Sequence, residues 1–375
     1  MHDLILKNGE LIDGEGEYTG QFQIAITNGR IAEISKTVSG SAREYIDLAG
    51  KLVVPGMIDI HAHIYQGVTS IGMSALDMTF SGGVTAVADA GSCGSETFAG
   101  FRRWIADAAP RIFCFVNLSR LGLTGSSVAG ELLDPRYADP AGVTEILRAY
   151  PQVAIGVKLR ASRDVVGGSC LPFLAMATEA AHAADRPVYV HIGNTAESIE
   201  QILAMLGPGD VVTHYQTGKP GGLLDARRRL WPGASDARQR GVLFDSGHGR
   251  THFDFDVAAR LLEEGFPPDL LSTDISLTSA RDLSPGLVTV MNKWIALGLP
   301  LPDAIRACTV RPADSLFSGA RFGRLKPGWD ADIAVLAQEE GDFAYSDAAG
   351  RVLHSSSRLV PAMTVRMGQL AWRAP

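Results

Sequence analysis

The stretch VVPGMIDIHAH, residues 53–63, ends an apolar run on two histidines one residue apart. In an extended strand side chains alternate faces, so His61 and His63 project to one side and Ala62 to the other. Two imidazoles converging on one point suit a metal ion, but two cannot complete a coordination sphere. The reading of the whole chain turns on where further ligands come from.

On either side of this stretch the texture of the chain changes. The N-terminal segments DLILKNGELID, QFQIAITNGRIAEIS and EYIDLAGKLVV alternate polar and apolar residues and are broken by Asn-Gly at 8–9 and 28–29, which predicts a hairpin-rich β module. From about 52 to 320, short apolar runs alternate with Ala/Leu/Arg-rich helical stretches, the pattern of βα units around a parallel sheet. Eight strands are predicted, at 52–60, 84–90, 111–117, 153–159, 187–192, 210–214, 241–246 and 270–275, and eight is the number of a (β/α)8 barrel. Between them 95–109, 139–150, 171–185, 195–206 and 256–265 read as helices, several opening on Ser, Asp or Thr as N-cap. The alternative, an open doubly wound sheet, usually carries a Gly-rich phosphate turn that is missing here. After 320 the β texture returns (GRLKPGWDADIAVLAQ, RVLHSSSRLVPAMTVRMGQLAWRA). The expected organisation is α/β: residues 55–320 form a TIM-type barrel, and 1–54 with 321–375 form a small β-sandwich from both termini.

Composition restricts the partners. The chain has 375 residues, 46% hydrophobic and 20% charged, with a net charge of -7, and its longest basic run is the RRR of 227–229, so nucleic acid is excluded. Cys93, Cys114, Cys170 and Cys308 lack C-x-x-C spacing and predict neither a disulfide framework nor a cysteine zinc site. The N-terminus does not read as a signal peptide and no window approaches a membrane span, so a soluble cytoplasmic protein is expected.

Barrel active sites lie at the carboxyl ends of the strands. There the first predicted strand brings His61 and His63, the fourth Lys158, the fifth His191, the sixth His214 and the eighth Asp274. Each alone has a structural explanation: a hydrogen-bonded histidine, a salt-bridged lysine, a capping aspartate. Together they make a constellation for which imidazole and carboxylate suit Zn²⁺, and which holds more donors than one tetrahedral site can use, pointing to two divalent ions. A buried lysine can lose its proton and capture CO₂, giving a carbamate on Lys158 (N6-carboxylysine) as an anionic bridge. A metal-bridging hydroxide is then the nucleophile, and Asp274 takes its proton and passes it to the leaving group. The expected chemistry is hydrolysis of an ester or amide.

HAH at 61–63, Lys158, His191, His214 and Asp274, bracketed by VVPGMID and LKPGWDADIAVL, resemble the amidohydrolase superfamily of metal-dependent hydrolases. The resemblance implies that His61, His63 and Asp274 bind the more buried ion, that His191 and His214 bind the second, and that carbamylated Lys158 bridges them. DAGS at 89–92, GVKLRAS at 156–162 and FDSGHG at 244–249 resemble the dihydroorotase-like, deacetylase branch, which implies deacetylation of a small 2-acetoxy acid such as acetyl-(R)-mandelate or of an N-acetyl-D-amino acid, by a homo-oligomer. Val157, Leu159 and Ala161 depart from that branch's usual Ile, Ala and Met, which bears on the substrate.

Around the site, Arg160 is two residues from Lys158 and so faces the same way; it is read as a substrate carboxylate clamp, with a salt bridge to a nearby loop as the alternative, and Arg163 less so. His248, flanked by glycines, is read as a substrate ligand, with loop support as the alternative. Gly91 and Ser92 are read as lining the pocket near the oxyanion; Asn117, Arg120 and Tyr215 have weaker claims. His2, His182, His252 and His354 are left without a role, His182 as structural. A cyclic amide hydrolase (dihydroorotase or hydantoinase) would use the same metals, and a non-catalytic scaffold would be expected to lack ligands that are present here.

Overall fold

The computed structural model describes residues 1–282, 286–317 and 319–375. Strands β1 (His2–Ile12), β2 (Thr19–Thr27), β3 (Arg30–Ser35), β4 (Ala42–Asp47) and β5 (Leu52–Pro55) open the chain. Asn28 and Gly29, both at positive φ, make the tight turn between β2 and β3, as a two-residue hairpin loop requires. The Asn-Gly at 8–9 makes no turn; it lies within β1, where the register against β2 shifts between Leu6 and Gly9.

The single strand predicted at 52–60 is two. β5 pairs with the terminal strands, and β6 (Met57–Ala62) is the first strand of the barrel. Gly56 separates them because a side chain there would meet Thr85 Oγ1 at 2.4 Å. β7 (Val84–Ala90), β8 (Arg111–Asn117), β9 (Ala154–Arg160), β10 (Val188–His191), β11 (Val211–Thr213) and β12 (Leu243–Asp245) follow as neighbours in one parallel sheet. Alternation of buried and exposed residues is absent from β7, VTAVADA: all of Val84–Ala90 is buried, as expected for strands covered on both faces.

The eighth predicted strand, 270–275, closes the ring without forming a ladder. It makes one parallel bridge to each side, Asp245 to Leu270 and Ala62 to Ile275. Leu270 N donates to the Phe244 carbonyl of β12 (3.2 Å), but the next amides go elsewhere: Thr273 N donates to Asp59 Oδ1 (3.1 Å) and Leu271 N to the Ala307 carbonyl (3.0 Å). Asp274, at φ 50, then turns the chain out of the extended conformation.

β13 (Ile333–Ser346), β14 (Val352–Arg366) and β15 (Gln369–Arg373) return to the terminal strands. The resulting eight-stranded sheet runs β15-β14-β13-β5-β1-β2-β3, with β4 also paired to β1, around Leu4, Leu6, Ile24, Ile26, Val53, Ile333, Val335 and Val365. A second core fills the barrel with Ile58, Ile60, Phe115, Ile155, Tyr189, Val211 and Leu243, and Phe317 and Phe322 pack against it. Helix starts follow the sequence signals: Asp139 accepts from Gly142 N, Asp254 from Val257 N, and Ser198 with Gln201 makes a capping box. No helix among the described residues is long and apolar enough to cross a membrane.

Candidate active site

Strand phase and strand ends gather the expected ligands. His61 lies in β6 with His63 just beyond it, Lys158 in β9, His191 at the end of β10, and His214 follows β11. All five are buried, and Asp274 reaches them from the closing segment. His61 Nε2 is 3.2 Å from Lys158 Nζ and 3.3 Å from Asp274 Oδ1; His63 Nε2 is 3.1 Å from the same oxygen. His214 Nε2 is 3.0 Å from His191 Nδ1. Two groups could each hold a metal ion, His61–His63–Asp274 and His191–His214–His252. Asp274 and His214 both have positive φ, a conformation that costs a non-glycine residue free energy and often marks a functional site.

Hydrogen bonds behind the ligands fix where their lone pairs point. Tyr189 Oη donates to Asp245 Oδ2 (2.5 Å) and Thr213 Oγ1 donates to the same oxygen (2.7 Å). Both hydroxyls have thereby used their proton, so they accept from His61 Nδ1, at 3.0 and 3.1 Å. His61 is left with a bare Nε2 facing Lys158 and Asp274. His214 Nδ1 donates to the Gly247 carbonyl, which bares its Nε2 toward His191. Burial pushes His61, His191 and His214 well below the usual histidine pKa, so these rings are neutral at pH 7. A lone pair held against a carboxylate oxygen is repulsive unless a cation lies between them, so this donor set fits divalent metal ions.

Burial likewise lowers the Lys158 pKa to about 7. Its stem packs along Gly91, where a Cβ would meet Lys158 Cγ at 2.7 Å, and its Nζ sits 4.2 Å from the centre of the Tyr189 ring. The free amine needed for carbamate formation is therefore accessible near neutrality.

A cavity of about 250 Å³ opens over this cluster, its wall including Ile71, Leu123, Ser126, Arg160, Arg250, Thr251, His252, Ser276 and Thr278. A cleft of about 360 Å³ that Ile275 also lines has no histidine or lysine among the described residues of its wall. Arg160 lines the cavity and is salt-bridged to Glu131, a buried carboxylate that also accepts from Asn117 Nδ2 at 3.1 Å.

Other expected residues stand elsewhere. His248 does not line the cavity; it is fully buried, stacked on Phe253, and accepts from Lys293 Nζ at 2.8 Å. Its flanking glycines let the loop backbone approach the site residues closely: a Cβ at Gly249 would meet Asp274 Oδ2 at 2.5 Å and one at Gly247 would meet Thr213 Oγ1. Gly91 backs Lys158, and Ser92 Oγ lies 3.1 Å from His63 Nδ1, so both lie behind the ligands and not in the cavity wall. Tyr215 stacks on Trp294, Arg120 pairs with Glu96, and Arg163 is exposed. His182 bonds Asp210. His252 is the residue the sequence reading missed: its ring lies 3.9 Å from that of His214 and 4.7 Å from that of His191. It sits in a loop, where no strand phase signals its direction.

A parallel barrel with buried imidazoles, a lysine and an aspartate at its carboxyl end defines a class of barrel hydrolases. The chain belongs to the amidohydrolase family, whose model matches residues 52–370. It is similar to a deacetylase of Enterococcus faecalis, 32% identical over 374 residues, 98% of this chain and 99% of the relative. Among solved structures it is similar to an adenine deaminase (TM-score 0.92, 31% identity, all of both chains) and to a dihydroorotase (TM-score 0.91, 28% identity, 99% of this chain and 98% of the other).

Proposed function

We propose that the protein removes an acyl group, acetyl in the simplest case, from a small 2-acyloxy or N-acyl amino acid. The observation that carries this reading is the juxtaposition of bare imidazole nitrogens, Lys158 and Asp274 beneath a cavity with Arg160 in its wall. His61, His63 and Asp274 would hold one zinc ion and His191 and His214 a second, with a carbamate on Lys158 between them. Bound there, the two ions supply Lewis acidity toward the scissile carbonyl and bring the pKa of water toward neutrality. Asp274 takes a proton from the attacking water and returns it to the leaving oxygen or nitrogen. Arg160, its fork steadied by Glu131, holds the substrate carboxylate. A cavity of about 250 Å³ matches a small acid. The similarity over full length to a deacetylase supports the acyl substrate. The four cysteines are free and buried, in keeping with a reduced, cytoplasmic setting.

The dihydroorotase likeness favours a second reading, hydrolysis of a cyclic amide. A screen of O-acetyl and N-acetyl acids of both hands against zinc-loaded protein decides: turnover of an acetylated acid is expected, and turnover of dihydroorotate alone would reverse the assignment. Arg160→Met should raise KM for the acid about 10- to 100-fold, the loss of one charge-assisted contact, with a smaller change in kcat. An unchanged KM would remove Arg160 from substrate binding. Asp245→Asn, which loosens the hydroxyls behind His61, should weaken zinc binding about 10- to 100-fold in a chelator competition with the circular dichroism spectrum preserved.

A further inference from the structure

The hairpin of β13 and β14 belongs to the terminal sheet, yet its turn, residues 347–351, reaches the loop that follows β12. Asp347 is buried in that turn. Its Oδ2 accepts from Phe255 N at 3.0 Å and from Arg351 Nε at 2.9 Å, and its Oδ1 accepts from Ala349 N at 2.9 Å and Arg351 N at 2.8 Å. Phe255 N is one of the amides that the helix Phe255–Glu263 leaves unpaired at its start, so a residue 92 positions away in sequence satisfies it. Beside it, Ala348 N donates to the Phe253 carbonyl at 2.9 Å, and Arg351 pairs with Asp254 and Asp256.

A second tie lies further along the same loop. Lys293, itself buried, donates to the Ser346 carbonyl at 2.7 Å and to His248 Nε2 at 2.8 Å. The loop is therefore fixed at 248 on one side and at 253–255 on the other, both times to the terminal hairpin. Between the two ties lie Arg250, Thr251 and His252, which form part of the cavity wall.

We infer that Asp347 is a positioning residue: the terminal hairpin latches the 248–255 loop and so sets the wall that Arg250, Thr251 and His252 present to the substrate. A negative charge in the turn suits this role, because all four of its partners are N–H donors, and exchanging the carboxylate for an amide sets an N–H against some of them. The inference rests on the proposed function only in taking this cavity as the substrate site; the latch itself stands on the contacts.

The test is hydrogen exchange by mass spectrometry on the zinc-loaded full chain, comparing wild type with Asp347→Asn and, separately, Lys293→Met, which releases the other tie. Amides of 248–256 should exchange at least about tenfold faster in each variant, while strands 188–191 and 211–213 keep their protection. In parallel, KM for an accepted acetylated acid should rise about tenfold in Asp347→Asn with kcat within about threefold. Wild-type protection of 248–256 in both variants would overturn the inference, as would loss of protection spread evenly over the barrel or an equal loss in kcat with KM unchanged. If the loop loosens as expected and the wild-type protein hydrolyses no acetylated acid, the latch stands and the proposed substrate falls.

Discussion

Lys158→Ala is expected to remove activity and metal together. The lysine Nζ lies 3.2 Å from His61 Nε2, and a carbamate there would add a second anion beside Asp274, whose Oδ1 is 3.3 Å from the same nitrogen. Losing the proposed bridge between two cations should lower kcat/KM by at least on the order of 10³-fold, since each 1.4 kcal/mol of transition-state stabilisation is worth tenfold. The zinc content of purified protein should fall in the same variant. Folding should survive, because a buried lysine brings a desolvation cost that alanine does not. Added formate or propionate should restore part of the activity by standing in the vacated space as a carboxylate. Full activity of the alanine variant would refute the bridging role.

Asp274→Asn tests the proton carrier. The side chain touches His61 and His63, its Oδ2 lies 3.9 Å from His214 Nε2, and it lines the cavity proposed to take the substrate. An amide keeps the shape but cannot take up that proton, so kcat should fall about 10²- to 10⁴-fold while the thermal midpoint stays close to that of wild type. The remaining ligands should keep part of the metal. A variant retaining more than a tenth of wild-type kcat would take the role away from Asp274.

How much of this was legible in the sequence follows from where phase is preserved. His61, His63, Lys158, His191 and His214 were readable because strand geometry fixes the direction of a side chain from its position, and apolar runs mark the strands. Asp274 was readable by its place after LLST, although that segment bridges its neighbours without pairing along its length. The break at Gly56 was hidden because an apolar run looks the same whether one strand or two lie in it. Loops carry no such phase. His248 and His252 stand four residues apart in one loop; the sequence favoured the first, and the fold turns it inward to Lys293 while presenting the second to His191 and His214. Glu131 and Asp347 could not have been picked out, since each acts on a segment remote in sequence and resembles any other loop carboxylate until the fold buries it.

The most direct measurement is anomalous X-ray diffraction at the zinc edge from crystals grown with zinc and bicarbonate. Two peaks are expected, one among His61, His63 and Asp274 and one between His191 and His214, with electron density continuing beyond Lys158 Nζ into a planar carboxylate. Density that stops at the lysine nitrogen, with no peak within reach of these histidines, would contradict the account.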